Sequence, residues 1–401
     1  MENEIAMKNE AYITRGKNRI ANAVFFFISG FGYAAWASRI PTIRTTFQLS
    51  DSMLGTLLFA MPVGLICTLP LTNYLLGKFS SRKIMLLGSV AFNSVLCFTG
   101  FASQIWQLFI ILFCFGSARN LLNISMNAQA VSVQRHYTES IITTFHGIWS
   151  IAGFAGAALG YFLVSMDIGI KWHFPLVGLT MIALTIYQYQ YTIDDPPEPK
   201  KRKTLFSLPE KSVLHYAIIV FICMACENTM YDWSGVYFQK TMYASQAMAT
   251  GAFAVYMVAM TLGRFAGDRV VNRIGIKNML YYNSILLTAG FLLVVLIPYP
   301  IFGFIGFLMT GFGISCISPL VLSLAGKSAK EGSARTLASI SSISYLGFLV
   351  VPPIIGFISE AASIRISFGI ITLLAVIMIV LIKRIKQDSK TVTEHTQEVA
   401  L

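Results

Sequence analysis

The sequence predicts an all-α polytopic membrane protein, with twelve transmembrane helices in two six-helix pseudo-symmetric halves. Three observations predict it. First, 55% of the 401 residues are hydrophobic and only 12% are charged, about half the charged share of an ordinary soluble domain. Mean hydropathy is +0.66; a soluble chain of this size needs far more polar surface. Second, the apolar residues fall into twelve runs, and twelve spans of about 24 residues use roughly 290 positions, which leaves no room for a sizeable soluble domain. Third, basic residues alternate in density between successive loops, as the positive-inside rule requires. Disorder, collagen and coiled coil are excluded by the same composition. The net charge of +12 sits in short loops, so nucleic acid is not an expected partner.

The runs follow in order. Run 20–40 has a basic lead-in of Arg15, Lys17 and Arg19. Ala35-Trp36-Ala37 imitates a signal-peptidase site, but the spans that follow make this a first membrane helix. Runs 52–76 and 84–102 flank a basic turn from Gly77 to Lys83. Run 105–127 carries Arg119, Asn120, Asn123 and Asn127 in an apolar frame. Run 141–165 opens near His146 and holds Gly156 and Gly160, a spacing that permits close helix contact. Run 173–192 ends the first half. A charged, proline-rich stretch from Asp194 to Lys203 reads as a linker, so the halves are bounded at 1–193 and 213–401, with the linker at 194–212.

In the second half, run 213–238 carries Glu227, Asn228, Tyr231, Asp232 and Trp233. Run 246–266 precedes a second basic loop, Gly267 to Gly275. Runs 279–297 and 300–324 follow, the latter with Pro319; run 335–358 holds Ser339, Ser341, Ser342 and Ser344, then Pro352-Pro353. These prolines bend their helices, and the serines read as packing and helix hydrogen bonds. Run 364–383 closes the set. A basic loop after the second span of each half suggests an internal duplication, a common plan of secondary transporters.

With the N-terminus placed in the cytoplasm, 24 Lys and Arg fall in inside segments and five outside: Arg39, Arg44, Lys171, Lys240 and Arg365. That bias puts both termini inside. The six cysteines all lie in apolar runs, so they are expected as packed thiols rather than disulfides. Cys223-x-x-Cys226 has no second pair and is not read as a metal site.

Ionised groups in hydrocarbon cost about 2.5–3.5 kcal/mol each on the insertion scale, so Arg119, Glu227 and Asp232 are expected to face the bundle interior. Arg119, Asn123 and Asn127 form one stripe at i, i+4 and i+8. A guanidinium flanked by amides suits a polyhydroxylated or carboxylate ligand; the plain alternative for the amides is interhelical hydrogen bonding. Glu227 lies mid-span, where an acid can exchange a proton with the transport cycle; a static ion pair with Arg119 is its alternative. Asp232 lies about 140° around the helix from it and is expected toward the rim, as a second proton-coupling candidate or a cap. Asn228 and Trp233 complete the substrate candidates, Trp233 by stacking on a ring or by lying at the interface. His146 is a proton-relay candidate or a satisfied helix contact.

Six plus six spans, inside termini and basic turns after spans two and eight resemble the major facilitator superfamily. Gly263-Arg264-Phe265-Ala266-Gly267-Asp268-Arg269 is similar to that family's loop motif; the first copy has Gly77 and Lys78 where Asp-Arg is expected. Ser38-Arg39-Ile40-Pro41, Met126-Asn127-Ala128-Gln129-Ala130, Phe145-His146-Gly147, Asp232-Trp233-Ser234 and Leu346-Gly347-Phe348 with Pro352-Pro353 and Gly356 resemble the fucose–proton symporter branch and its bacterial inner-membrane relatives. That branch has acids at the position of Asn123 and near Ala37, both missing here. The resemblance implies alternating access around a cavity lined by spans one, four, seven and ten, with Asp268, Arg269 and Arg264 at a gate. It implies a bacterial inner-membrane monomer carrying a small polar solute, a sugar or sugar derivative, driven by protons. A drug or metabolite exporter of the same fold is the rival. No nucleotide-binding, metalloprotease or nucleophile-elbow motif occurs, so neither an enzyme nor a cofactor is expected.

Overall fold

A computed structural model describes residues 2–139, 141–197, 213–328 and 333–385. Most of the linker, Lys330 and the tail beyond residue 385 lie outside the described residues, as do the side chains of Ser339, Ser341 and Ser342. Among the described residues there are fourteen helices forming twelve spans. They are α1 (Glu2–Ala37), α2 (Ile40–Thr46), α3 (Asp51–Lys78), α4 (Ser81–Thr99), α5 (Ile105–Gln134), α6 (Ile142–Ser165) and α7 (Ile170–Tyr189) in the first half. The second half has α8 (Leu214–Thr241), α9 (Gln246–Ile274), α10 (Ile276–Leu296), α11 (Pro300–Ile314), α12 (Ile317–Ser328), α13 (Ser333–Ala361) and α14 (Ile364–Lys383). Helices α1 and α2 are one span with a turn at Ser38-Arg39, and α11 and α12 one span with a turn at Ser315-Cys316. Ten spans are long and apolar enough to cross a membrane by length and composition alone.

Hydropathy places the spans within a few residues but underestimates some helices. Run 105–127 is the apolar part of α5, which continues to Gln134, and run 20–40 is the apolar part of a much longer α1. A helix need not end where lipid ends, because its backbone bonds are internal. An even number of spans puts both ends of the chain on one face, here called the terminal face; the opposite one is the distal face.

Each half is built by close helix approaches. A Cβ on Gly156 of α6 would stand 2.6 Å from the Phe31 carbonyl oxygen of α1, and one on Gly160 would meet Ser38; the Gly156/Gly160 spacing therefore seats α6 on α1, as expected. The halves meet along α3 with α13 and α6 with α9. These are equivalent pairs under exchange of the halves. The cysteines are all free; Cys223, Cys226 and Cys316 are buried, whereas Cys67 and Cys114 are exposed on the bundle surface.

Candidate functional site

Helix α5 presents the predicted stripe to the middle of the bundle, with Arg119, Asn123 and Asn127 each part-exposed. Ser29 of α1 donates to Asn123 Oδ1 at 3.1 Å, and Asn127 Nδ2 donates to the Asn123 carbonyl at 2.7 Å. Asn120 points away from the stripe; it is buried and donates to Thr72 of α3 at 2.9 Å, which makes it a packing residue.

Arg119 sits between rings from both halves. Its Cζ is 3.7 Å from the Tyr33 centroid on α1 and 5.8 Å from that of Phe348 on α13, a cation–π cradle. Its Nε has no hydrogen-bond partner, and among the described residues no carboxylate lies within ion-pair distance of it.

Glu227 is paired with Arg264 of α9, at 3.6 Å, and not with Arg119. Arg264 also donates to Ser150 Oγ of α6 at 2.7 Å and to the Ser315 carbonyl at 3.4 Å. The second bond has a local cause. Pro319 has no N–H to donate to the residue four before it, so the Ser315 carbonyl at the α11–α12 break is free to accept from Arg264. The proline expected to bend the span thus creates a polar anchor, and the break falls at Ser315-Cys316. Arg264, grouped with the gate by resemblance, is held in the interior. Asp268 and Arg269 are exposed toward the terminal face and make no ion pair among the described residues.

Asp232 is not at the rim. It is 7% exposed, because α8 continues nine residues to Thr241, about 13 Å beyond it. It lies in the field of Arg119, one turn from the buried Asn228. Trp233 is fully buried with Nε1 unpartnered, so it lies neither in an interfacial belt nor on the accessible cavity wall. His146 is exposed, its ring edge-on to Phe26 at 5.3 Å and within the field of Arg264.

Residues missed in the sequence close the cavity. Tyr231 stands 5.3 Å from Tyr33, 5.5 Å from Phe253 and 6.0 Å from Tyr256 by ring centroids. Tyr33 and Tyr231 lie one turn beyond Ser29 and Glu227 toward the distal face, so this aromatic layer roofs the cavity. The Tyr231 hydroxyl is buried without a partner. Farther out the two halves are locked together. The Asp51 carboxylate, fully buried, binds Lys240 at 2.5 Å and Arg44 at 3.1 Å and accepts from Ser359. The Asp51 amide donates to Glu360 at 2.9 Å, and Gln246 donates to Thr42. Arg39, expected as a loop charge, is buried; its Nε donates to His173 Nδ1 at 2.9 Å and its guanidinium also reaches the Ile168 carbonyl. The hydrogen bonds and ion pairs joining the halves cluster at this distal seal and at the Ser150–Arg264 level.

Two six-helix halves, sealed at one face and enclosing paired charges at their midplane, define a membrane transport protein rather than an enzyme. Residues 23–345 match the family profile of the Major Facilitator Superfamily. The chain belongs to that superfamily and is a transporter. It is 30% identical over 356 residues to an uncharacterised MFS-type transporter of Yersinia pestis, covering 89% of this chain and 92% of that one. A candidate glucose/galactose transporter of Helicobacter pylori is 23% identical over 192 residues, 46% of each chain. Among solved structures, a mutant of the nucleoside transporter NupG superposes with a TM-score of 0.70 at 12% identity, covering 92% of this chain and 99% of that chain.

Proposed function

We propose that this chain is a proton-coupled transporter of a small polar solute, a sugar or sugar derivative, working by alternating access in a bacterial inner membrane. The observation that carries the reading is the midplane arrangement. A hydrogen-bonding stripe on the first half, Arg119-Asn123-Asn127, faces an acid on the second, Glu227, whose partner Arg264 is fixed by Ser150 and by the carbonyl that Pro319 frees. A solute bridging the stripe and Glu227 touches both halves at once, which is what rocking about a central site requires. The polar stripe and the partial match to a sugar-transporter name favour a sugar.

The basic bias of the loops makes the terminal face cytoplasmic. The conformation is then inward-facing, with Asp51, Lys240 and Ser359 holding the periplasmic side shut. Asp268 and Arg269 act when the cytoplasmic side closes. Glu227 carries the proton: protonation releases Arg264 and deprotonation restores the pair. His146, near Arg264, is the relay toward the cytoplasm, and Asp232 is the second acid of the route. The protein acts as a monomer with its substrate, protons and lipid as partners.

The test is a thermal-stability screen of the detergent-purified protein, followed by uptake into proteoliposomes under an imposed pH gradient. A ligand at 100 times its Kd adds about 2.7 kcal/mol of stability. A shift with sugars, and accumulation only with the gradient, supports the proposal. A shift with lipophilic cations alone points to the exporter.

A further inference from the structure

The cavity holds two arginines of different standing. Arg264 is neutralised by Glu227 at 3.6 Å and has two further acceptors. Arg119 has aromatic faces instead: Tyr33 at 3.7 Å and Phe348 at 5.8 Å. Rings hold a guanidinium by its plane, and the Tyr33 hydroxyl is also a hydrogen-bond partner of the group. No carboxylate lies within ion-pair distance among the described residues, and Nε has no partner. Asp232 is a turn and more beyond Glu227, buried at 7% exposure, and acts on Arg119 only through space. A charged side chain inside a membrane bundle is retained where something pairs with it, and among the described residues nothing does so at contact range.

From this juxtaposition we propose that the substrate is a small polyhydroxylated monocarboxylate, a sugar acid rather than a neutral sugar, whose carboxylate docks on the N–H groups of Arg119 that Tyr33 does not take. The planar fork of a guanidinium matches a carboxylate with two parallel hydrogen bonds. Asn123 and Asn127, one and two turns along the same stripe, then reach the hydroxyls, since an amide both donates and accepts. The Tyr231 hydroxyl, buried and unpartnered on the opposite half, supplies a further donor on the roof side. Glu227 and Asp232 already act on Arg119 through space, so a phosphate ester carrying nearly two negative charges is disfavoured beside them. This inference rests on the reading of the cavity as the transport site and narrows its ligand.

The test compares four probes on the purified full chain, by thermal shift and by competition: D-glucose, D-glucuronate, the neutral amide glucuronamide, and glucose 6-phosphate, with tetraphenylphosphonium as the cationic control. The expected result is that glucuronate binds at least tenfold more tightly than glucose and glucuronamide, a difference of about 1.4 kcal/mol. Arg119→Gln should erase that preference, and Arg119→Lys should restore part of it. The comparison with the amide needs no variant, so the inference stands or falls even if Arg119→Gln does not fold. Equal binding of glucose and glucuronate overturns the inference and leaves the sugar reading intact. Tightest binding of glucose 6-phosphate overturns the single-charge argument. A response to tetraphenylphosphonium alone overturns both.

Discussion

Glu227 and Arg264 lie on adjacent helices of one half, 17% and 27% exposed, and each is the other's only ion-pair partner among the described residues. Removing one leaves the other unpaired in a poorly hydrated place. Arg264→Ala should therefore destabilise the protein by about 1–3 kcal/mol, below the cost of a fully buried pair because both groups keep some water. Glu227→Gln costs less, since Arg264 keeps its bonds to Ser150 and the Ser315 carbonyl and the amide keeps a carbonyl dipole beside it. Its expected effect is functional: accumulation driven by a pH gradient is lost and uptake no longer varies with pH, while substrate counterflow persists. Accumulation that keeps its pH dependence in Glu227→Gln would transfer the proton to Asp232 or His146. The sequence marks Arg119, Asn123, Asn127, Glu227 and Asp232 because charges and amides stand out in apolar helices. It does not mark Tyr33, since a tyrosine in a span reads as packing. It does not reveal that Glu227 pairs with Arg264 rather than Arg119, because that choice depends on how three helices are turned toward each other.

At the scale of elements, the positions of the spans are legible from hydropathy but not all helix ends, since α1, α5 and α9 run well past their apolar stretches, and contacts are legible only where the residues are small. Gly156 and Gly160 announce a close approach through their spacing, but not that α1 is the partner. Gly356 of α13 is similar. A Cβ there would lie 2.5 Å from the Asp51 carbonyl oxygen and 3.0 Å from Gly55 Cα on α3. Backbone atoms on both sides cannot yield as a flexible side chain would. Gly356→Val should therefore push α13 off α3 at the distal seal without disturbing either half internally. A single cysteine placed at Ser359 in a cysteine-free background should then react with an impermeant maleimide at least tenfold faster than in the parent. An unchanged rate would mean that the α3–α13 contact does not hold the seal. Asp51 acts at the same junction through charge. It reads in sequence as a span boundary, because its partners Lys240 and Ser359 are 189 and 308 residues away. Asp51→Asn weakens the attraction to Lys240 and Arg44 and should speed the same labelling reaction, with a stability loss of about 1–3 kcal/mol given the partial exposure of both cations.

At the scale of the whole molecule, polar contacts join the two halves at two levels, the distal seal and the Ser150–Arg264 level. If transport is alternation between faces, the seal must break and re-form in every turnover, while the contacts within each half persist. Thr42 and Gln246 test this directly. They belong to different halves and are hydrogen-bonded across the distal face, whereas Tyr137 and Arg15, both accessible, are bonded within one half. Cysteines at Thr42 and Gln246, joined by a short bifunctional thiol reagent in a background lacking Cys67 and Cys114, the exposed native thiols, should abolish net uptake. Substrate binding from the terminal face should survive, because the cavity residues on that side are left free. Cleaving a reducible linker should restore transport. The same reagent bridging positions 137 and 15 should leave transport within about twofold of the uncrosslinked protein, since neither residue needs to move relative to the other. Equal inhibition by both bridges would show that the halves flex internally, and the rocking of two rigid bodies would have to be given up for a mechanism in which the helices of one half move separately.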